Sequence, residues 1–125
     1  MLVPSQTIGR RVADELSGHG MPARFFPGRE LDLHAEVVKV LTLHSAKGLE
    51  FPIVVLCGFE PGTCPESGDF EDAEVYLERM RSARRLLYVG MSRAMRGLMV
   101  LRNDVCAHQA LHDLQADHWH VEVVE

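Results

Sequence analysis

Between Thr42 and Glu50 the chain sets a hydroxyl, an imidazole, an ammonium and a carboxylate in close succession, in the run Thr42-Leu43-His44-Ser45-Ala46-Lys47-Gly48-Leu49-Glu50. Thr and Ser hydroxyls and backbone N–H groups are common donors to phosphate oxygens. Lys47 is a point charge suited to the same oxyanion, and Gly48 lets backbone approach a ligand closely. Glu50 would repel phosphate, but a carboxylate accepts well from ribose hydroxyls, as in dinucleotide sites. These residue types describe a phosphate-and-sugar site without naming its ligand. A second group follows at Arg84-Arg85-Leu86-Leu87-Tyr88-Val89-Gly90-Met91-Ser92-Arg93-Ala94. Arg84 and Arg85 lie in a basic run, solvated or near a backbone. Arg93 comes after Gly90 and Ser92, where a helix is expected to end. A guanidinium there can reach outward and meet charge on a transferring phosphoryl group.

The elements that must hold these residues are legible in the apolar pattern. Val37–Leu43 is rich in Val and Leu and reads as a strand. Ile53–Cys57 is a continuous apolar run of the kind buried on both faces of a parallel sheet. A long helix is expected from Glu71 to about Ala94, with Leu77, Met80, Arg84, Leu87 and Met91 along one line and Leu87 and Tyr88 in the core. Upstream, Leu2–Val3 ends a buried strand. Ser5 or Thr7 can cap a helix through Ser17, with Ile8, Val12 and Leu16 on one face. Ala23–Phe26 is a short strand. Downstream, Leu98–Leu101 reads as a strand, Gln109–Gln115 as a short helix and His120–Val124 as a last strand. Strands alternating with helices imply an α/β layered fold. In open sheets of that class, functional residues sit in loops beyond the carboxyl ends of strands, which singles out the loops after Leu43 and after Cys57.

Composition bounds the rest. A chain of 125 residues fits one domain. With 46% hydrophobic and 25% charged residues it has the make-up of a globular protein. No apolar run approaches the ~20 residues of a membrane span, and no apolar signal segment opens the chain, so a cytoplasmic location is expected. Cys57, Cys64 and Cys106 are widely spaced and expected to be free thiols. The net charge of −5 argues against a wholly basic surface. Charge is nonetheless segregated. Glu60 to Glu78 carries acids without Lys or Arg, and Arg79 to Arg102 carries seven arginines without an acid. A helix macrodipole accounts for part of this. The arginines exceed that need, so some are expected to face phosphate, while Arg79 and Arg81 are expected on a solvated face.

At this point the residues resemble a known family. The stretch VLTLHSAKGLEFPIVVLCG is similar to motif V of the UvrD/PcrA/Rep-type superfamily 1 DNA helicases, and RRLLYVGMSRA is similar to their motif VI. The E-P-G-x-x-P loop that begins at Glu60 fits the same order. The resemblance is strong over residues 37–101 and looser over 2–26. It implies a RecA-like (P-loop NTPase-type) layered fold with a mostly parallel sheet, incomplete at its N-terminal edge. The whole chain, 1–125, is then part of a second RecA-like motor domain, with motif V at 38–58 and motif VI at 84–94. In such helicases two RecA-like domains clamp ATP with Mg²⁺ between them while single-stranded DNA crosses their top. The resemblance implies that Thr42 and His44 approach DNA and that Gly48 and Glu50 reach the nucleotide, with Glu50 on the ribose. It implies further that Lys47 serves coupling and that Arg93 contacts the γ-phosphate from across the cleft.

Departures from the pattern limit what the segment does alone. No G-x-x-x-x-G-K-[ST] phosphate loop occurs, nor an apolar strand ending in paired acids to hold Mg²⁺. Those parts are expected on the first motor domain, and motif IV is expected upstream of Leu2. The segment by itself is therefore expected not to hydrolyse ATP. Gly28 to Glu36 leaves no room for the large insertion that many members carry before motif V. A structural histidine is the alternative reading of His44. His108, His112, His118 and His120, with Cys106 nearby, are expected to be solvated or packed, and no metal site is expected. The alternative function is a free-standing DNA- or protein-binding module that kept the fold without ATPase activity.

Overall fold

The computed structural model describes residues 1–59, 72–102, 111, 114 and 116–124. Its elements are β1 (Leu2–Val3), α1 (Gln6–Gly18), β2 (Ala23–Phe25), β3 (Val38–Thr42), β4 (Phe51–Leu56), α2 (Ala73–Met91), β5 (Ala94–Val100) and a 3₁₀ turn (Ala116–His118). The five strands form one sheet in the order β2-β3-β1-β4-β5, with every described pair parallel. The two-residue β1 is the middle strand, and Leu2 and Val3 are 1% and 0% exposed. Among the described residues no helix is long and apolar enough to cross a membrane.

Local chemistry accounts for the helices. Ser5 is the N-cap of α1, its extended backbone placing Oγ to accept from the Ile8 N–H at 3.3 Å. Asp72 does the same for α2, accepting from the Glu74 N–H at 2.9 Å. α1 packs on β1, β2 and β3, whereas α2 packs on β4 and β5. They lie on opposite faces of the sheet. A Cβ on Gly9 of α1 would strike Phe25 and sit against Val3, while one on Gly90 of α2 would strike Leu43 and sit against Leu2. Since Leu2 and Val3 are successive strand residues, they point to opposite faces.

Two cores result. Leu2, Leu41, Leu43, Ala46, Val54, Leu56 and Leu87 pack on the α2 side. Val3, Ala13, Val40 and Cys57 pack on the α1 side, supported by Ile8, Val12 and Phe25.

Several expectations are corrected by this layering. The β4 run is not buried on both faces: Ile53 is 68% exposed, because α1 stops short of β4 and β5. Met95, Met99 and Leu101 share that uncovered side and are also exposed. On α2, Leu77 and Tyr88 are exposed while Met80, Leu87 and Gly90 are buried. Tyr88 had the apolar body of a core residue, but the helix turns it to solvent and puts glycine against the sheet. β5 begins at Ala94, immediately after Arg93, and not at Leu98. Residues His120–Val124 form no strand. The helix expected over Gln109–Gln115 and the E-P-G-x-x-P loop fall outside the described residues, Leu111 and Leu114 excepted.

Candidate nucleotide and nucleic-acid site

Parallel pairing fixes where the two motifs lie. Thr42 at the carboxyl end of β3 is level with Val3, and Leu2 is level with Leu56 at the carboxyl end of β4. β4 starts at Phe51, which pairs with Ala94 at the start of β5. The segment between Thr42 and Phe51 therefore runs back from one end of the sheet to the other. At a rise of ~3.3 Å per strand residue the two ends are about 20 Å apart. The expected carboxyl-end placement thus holds for Thr42 and His44 but not for Glu50, while Arg93 lies, as expected, just past the end of a helix. Glu50 and Arg93 each sit one residue before a paired strand start, at the amino ends of β4 and β5.

The returning segment is a series of tight turns. Ser45 and Ala46 donate to the Thr42 carbonyl at 3.1 and 3.2 Å, Lys47 to His44 at 3.4 Å and Leu49 to Ala46 at 3.1 Å. The Thr42 side chain starts the series: its Oγ1 accepts from the Ser45 N–H at 3.3 Å and shares a hydrogen bond with Ser45 Oγ at 2.9 Å. Gly48 then takes φ +81, a left-handed conformation that costs an L-residue about 1–2 kcal/mol. Leu43 and Ala46, 2% and 0% exposed, pin the segment to the α2 side. His44, Lys47 and Glu50 face solvent.

Thr42 differs from the expectation of an open DNA contact. It is only 9% exposed, and its hydroxyl is engaged by the turn. Ser45, expected only as one of the hydroxyls that could donate to phosphate, completes that pair. The spacing of Thr and Ser at i and i+3 after a strand is the signal that could have found it.

The other end of the sheet is built by the C-terminus of α2. Ser92 caps the helix, its N–H donating to Tyr88 O at 2.9 Å and its Oγ to Val89 O at 2.9 Å. Half-buried Arg93 leans on the same helix end. Its Nε donates to Val89 O at 3.1 Å and its Nη2 to Ser92 Oγ at 3.2 Å. A guanidinium has five N–H donors. The remaining ones, on Nη1 and the outer side of Nη2, have no partner among the described residues. The Arg93 carbonyl accepts the Phe51 N–H at 2.9 Å, which ties Glu50 and Arg93 to one backbone joint. The Glu50 carboxylate has no hydrogen-bond or ionic partner among the described residues. A cationic fork and a carboxylate, each with open capacity among the described residues, thus sit at neighbouring strand starts joined through backbone.

The other arginines are differently placed. Arg85 pairs with Glu78 at 2.8 Å and Arg81 with Glu78 at 3.7 Å, all three side chains more than half exposed. Such exposed pairs add little to stability. His118 and His120 are exposed, and His120 bonds Glu122 at 3.2 Å. Cys57 is a buried free thiol. Cys64, Cys106, His108 and His112 lie outside the described residues.

A parallel α/β sheet carrying these two motifs has the make-up of a helicase C-terminal domain. The chain belongs to the UvrD-like helicase C-terminal domain family, whose model matches residues 28–104. It is 42% identical over 69 residues to DNA helicase II of Escherichia coli, covering 55% of this chain and 9% of that protein. It is 48% identical over 60 residues to the ATP-dependent DNA helicase PcrA of Bacillus subtilis, covering 47% and 7%. Against the ATP-dependent DNA helicase UvrD1 of Mycobacterium tuberculosis it is 39% identical over 90 residues, covering 72% and 9%. The matched part thus spans less than a tenth of each of these relatives. The solved C-terminal domain of a possible DNA helicase from Lactobacillus plantarum superposes with a TM-score of 0.67 at 21% identity, over 93% of this chain and 62% of that one.

Proposed function

We propose that this chain is the segment of a second RecA-like motor domain that supplies nucleotide and single-stranded-DNA contacts to an ATP-dependent DNA helicase. The observation that carries the proposal is the pairing of Glu50 and Arg93 at adjacent strand starts, each with unused hydrogen-bonding capacity. That donor and acceptor set fits a nucleoside triphosphate: the planar Arg93 fork matches phosphate oxygens, and the Glu50 carboxylate accepts from ribose hydroxyls. The left-handed turn at Gly48 brings backbone near the same place. ATP with Mg²⁺ is the proposed cofactor, and the metal, when bound, neutralises charge on the β- and γ-phosphates. The phosphate loop and the metal-holding acids belong to the first motor domain, the proposed partner across the cleft. Arg93 stabilises charge arriving on the far side of that cleft.

DNA is proposed to pass at the other end of the sheet. His44 is the exposed contact there, and Thr42 acts through the turn that its hydroxyl starts. Lys47 lies on the segment that joins the two ends. Leu43 at one end of that segment packs against Gly90, three residues before Arg93. Movement at the DNA end therefore has a packed route to the nucleotide end through Leu43 and Gly90, and the coupling role proposed for Lys47 rests on its place in the backbone segment that joins the two ends.

The test is made in a complete helicase chain carrying this segment. Arg93→Ala is expected to lower ATP turnover in saturating DNA by ~10³-fold or more with DNA affinity nearly intact. Arg93→Lys should rescue poorly, since a point charge does not reproduce the fork. Near-normal turnover in Arg93→Ala, or loss of DNA binding as severe as loss of turnover, would assign Arg93 to the DNA instead. The segment alone is expected to show no DNA-stimulated ATPase activity.

A further inference from the structure

We infer that Ser92 is a positioning residue for Arg93, fixing one edge of the guanidinium so that the other edge is presented to an oxyanion. A guanidinium has two edges that can each bind a pair of acceptors: the side-on edge, Nε with Nη2, and the end-on edge, Nη1 with Nη2. In this chain the side-on edge is filled by the end of α2. Nε meets Val89 O at 3.1 Å and Nη2 meets Ser92 Oγ at 3.2 Å. Ser92 Oγ is itself oriented, because its own proton goes to Val89 O at 2.9 Å. With that proton committed, the oxygen lone pairs face the guanidinium as acceptors. Three groups, the Val89 carbonyl, the Ser92 hydroxyl and the guanidinium, thus close a small hydrogen-bonded ring. The end-on edge carries the donors without a partner among the described residues.

The chemical consequence is preorganisation. A freely rotating arginine must be ordered when charge develops on a phosphate, whereas one held along an edge already has its remaining donors aimed. The helix end also contributes carbonyl dipoles whose negative end favours a cation at Arg93. Ser92 adds direction to that attraction. A hydroxyl is required, since a carbon at its place would give Nη2 no acceptor. Threonine keeps the hydroxyl and alanine removes it.

The inference rests on the reading of Arg93 as the phosphate-facing residue, and its test separates the two. In the complete helicase chain, Ser92→Ala is expected to lower kcat roughly tenfold, with KM for ATP changed less than about twofold because ground-state affinity is set elsewhere. Ser92→Thr should restore kcat. A second measurement needs no turnover. In ¹H–¹⁵N spectra of the full chain, the wild type and Ser92→Thr should show slowed rotation about the Arg93 Nε–Cζ bond, with separate Nη signals. Ser92→Ala should show fast rotation and merged signals. If Ser92→Ala keeps normal kcat and slow rotation while Arg93→Ala is inactive, Ser92 has no positioning role and the inference falls alone. If Arg93→Ala keeps near-normal turnover, the phosphate reading falls and takes the inference with it, whatever the rotation shows.

Discussion

The Phe51 N–H donates to the Arg93 carbonyl at 2.9 Å, joining the residue after Glu50 to the residue that carries the open guanidinium. The bond is made by backbone alone, so it holds the two motif ends together independently of either side chain. It also begins the parallel pairing of β4 with β5, which continues from Phe51 and Ala94 to Leu56 and Val100.

That relationship predicts a separation of structure from chemistry. In native-state hydrogen exchange the Phe51 amide should be strongly protected, and Arg93→Ala should leave its protection within about threefold of wild type. Collapse of Phe51 protection in Arg93→Ala would mean that the side chain, not the ladder, holds the joint.

Gly90 should resist substitution. A Cβ there would lie 2.4 Å from Leu43 Cδ2 and 3.5 Å from both Leu2 and Leu56. Overpacking costs about 1–3 kcal/mol, set against about 1 kcal/mol gained from replacing a helical glycine with alanine. Gly90→Ala is therefore expected to lose up to about 2 kcal/mol in urea unfolding. The loss should shrink in a Leu43→Ala background, since the two sites share one contact. An additive double mutant would show that the clash is relieved elsewhere.

Gly48 offers the opposite case. Nothing lies within 4 Å of a Cβ at this position, yet its φ is +81. Gly48→Ala should destabilise by about 1–2 kcal/mol through backbone strain alone. No compensating neighbour mutation should relieve it. Unchanged stability would mean that the turn rearranges, and the position of Glu50 would then be expected to move with it.

The N-cap of α1 gives a local test of the fold. Ser5→Ala removes the acceptor for the Ile8 N–H and should cost about 1 kcal/mol, whereas Ser5→Asp should be nearly neutral. Thermal unfolding of the three chains reads this directly. Equal midpoints would place the cap elsewhere, Thr7 being the other candidate in the sequence.

Cys57 predicts an alkaline effect. Burial pushes its thiol above the ordinary value, with the Met1 ammonium partly offsetting the rise. The folded state therefore favours the neutral thiol more than the unfolded state does. Its contribution is fully present below the unfolded thiol's pKa and is lost as pH rises from there through the raised folded value. Urea midpoints should fall across that alkaline window in wild type and fall less in Cys57→Ala. In a Cys64→Ser/Cys106→Ser background, the native thiol should react with an alkylating reagent only as fast as the protein opens.

Much of this molecule was written locally. The Ser5 cap, the apolar strand β3 and the helix before Arg93 follow from short-range preferences that need no distant partner. The residue types at Glu50 and Arg93 were legible too, a carboxylate and a fork-shaped cation at the borders of such elements, and their roles belong to the proposal above. The assignment of Tyr88 to the core failed for a definite reason. Apolar periodicity locates a buried face only to within one helical position, and the close approach of α2 to Leu2, Leu43 and Leu56 selected Gly90 for it. Ile53 was misplaced because a continuous apolar run cannot say whether a helix covers its second face.

What the sequence determined by itself was the alternation of strands and helices from β1 to β5, the family, and the residue types at the two motifs. It could not say which end of the sheet each motif residue occupies, since a short connection after β3 is compatible with staying at the carboxyl end or returning to the other. Only parallel pairing, with Phe51 on Ala94 and Thr42 on Val3, sends the segment back across the sheet. That long-range register separates Thr42 and His44 from Glu50 and Arg93, and it brings the last two together. The physical reason is that a strand's register is set by the neighbours it bonds to, and those neighbours lie far away along the chain.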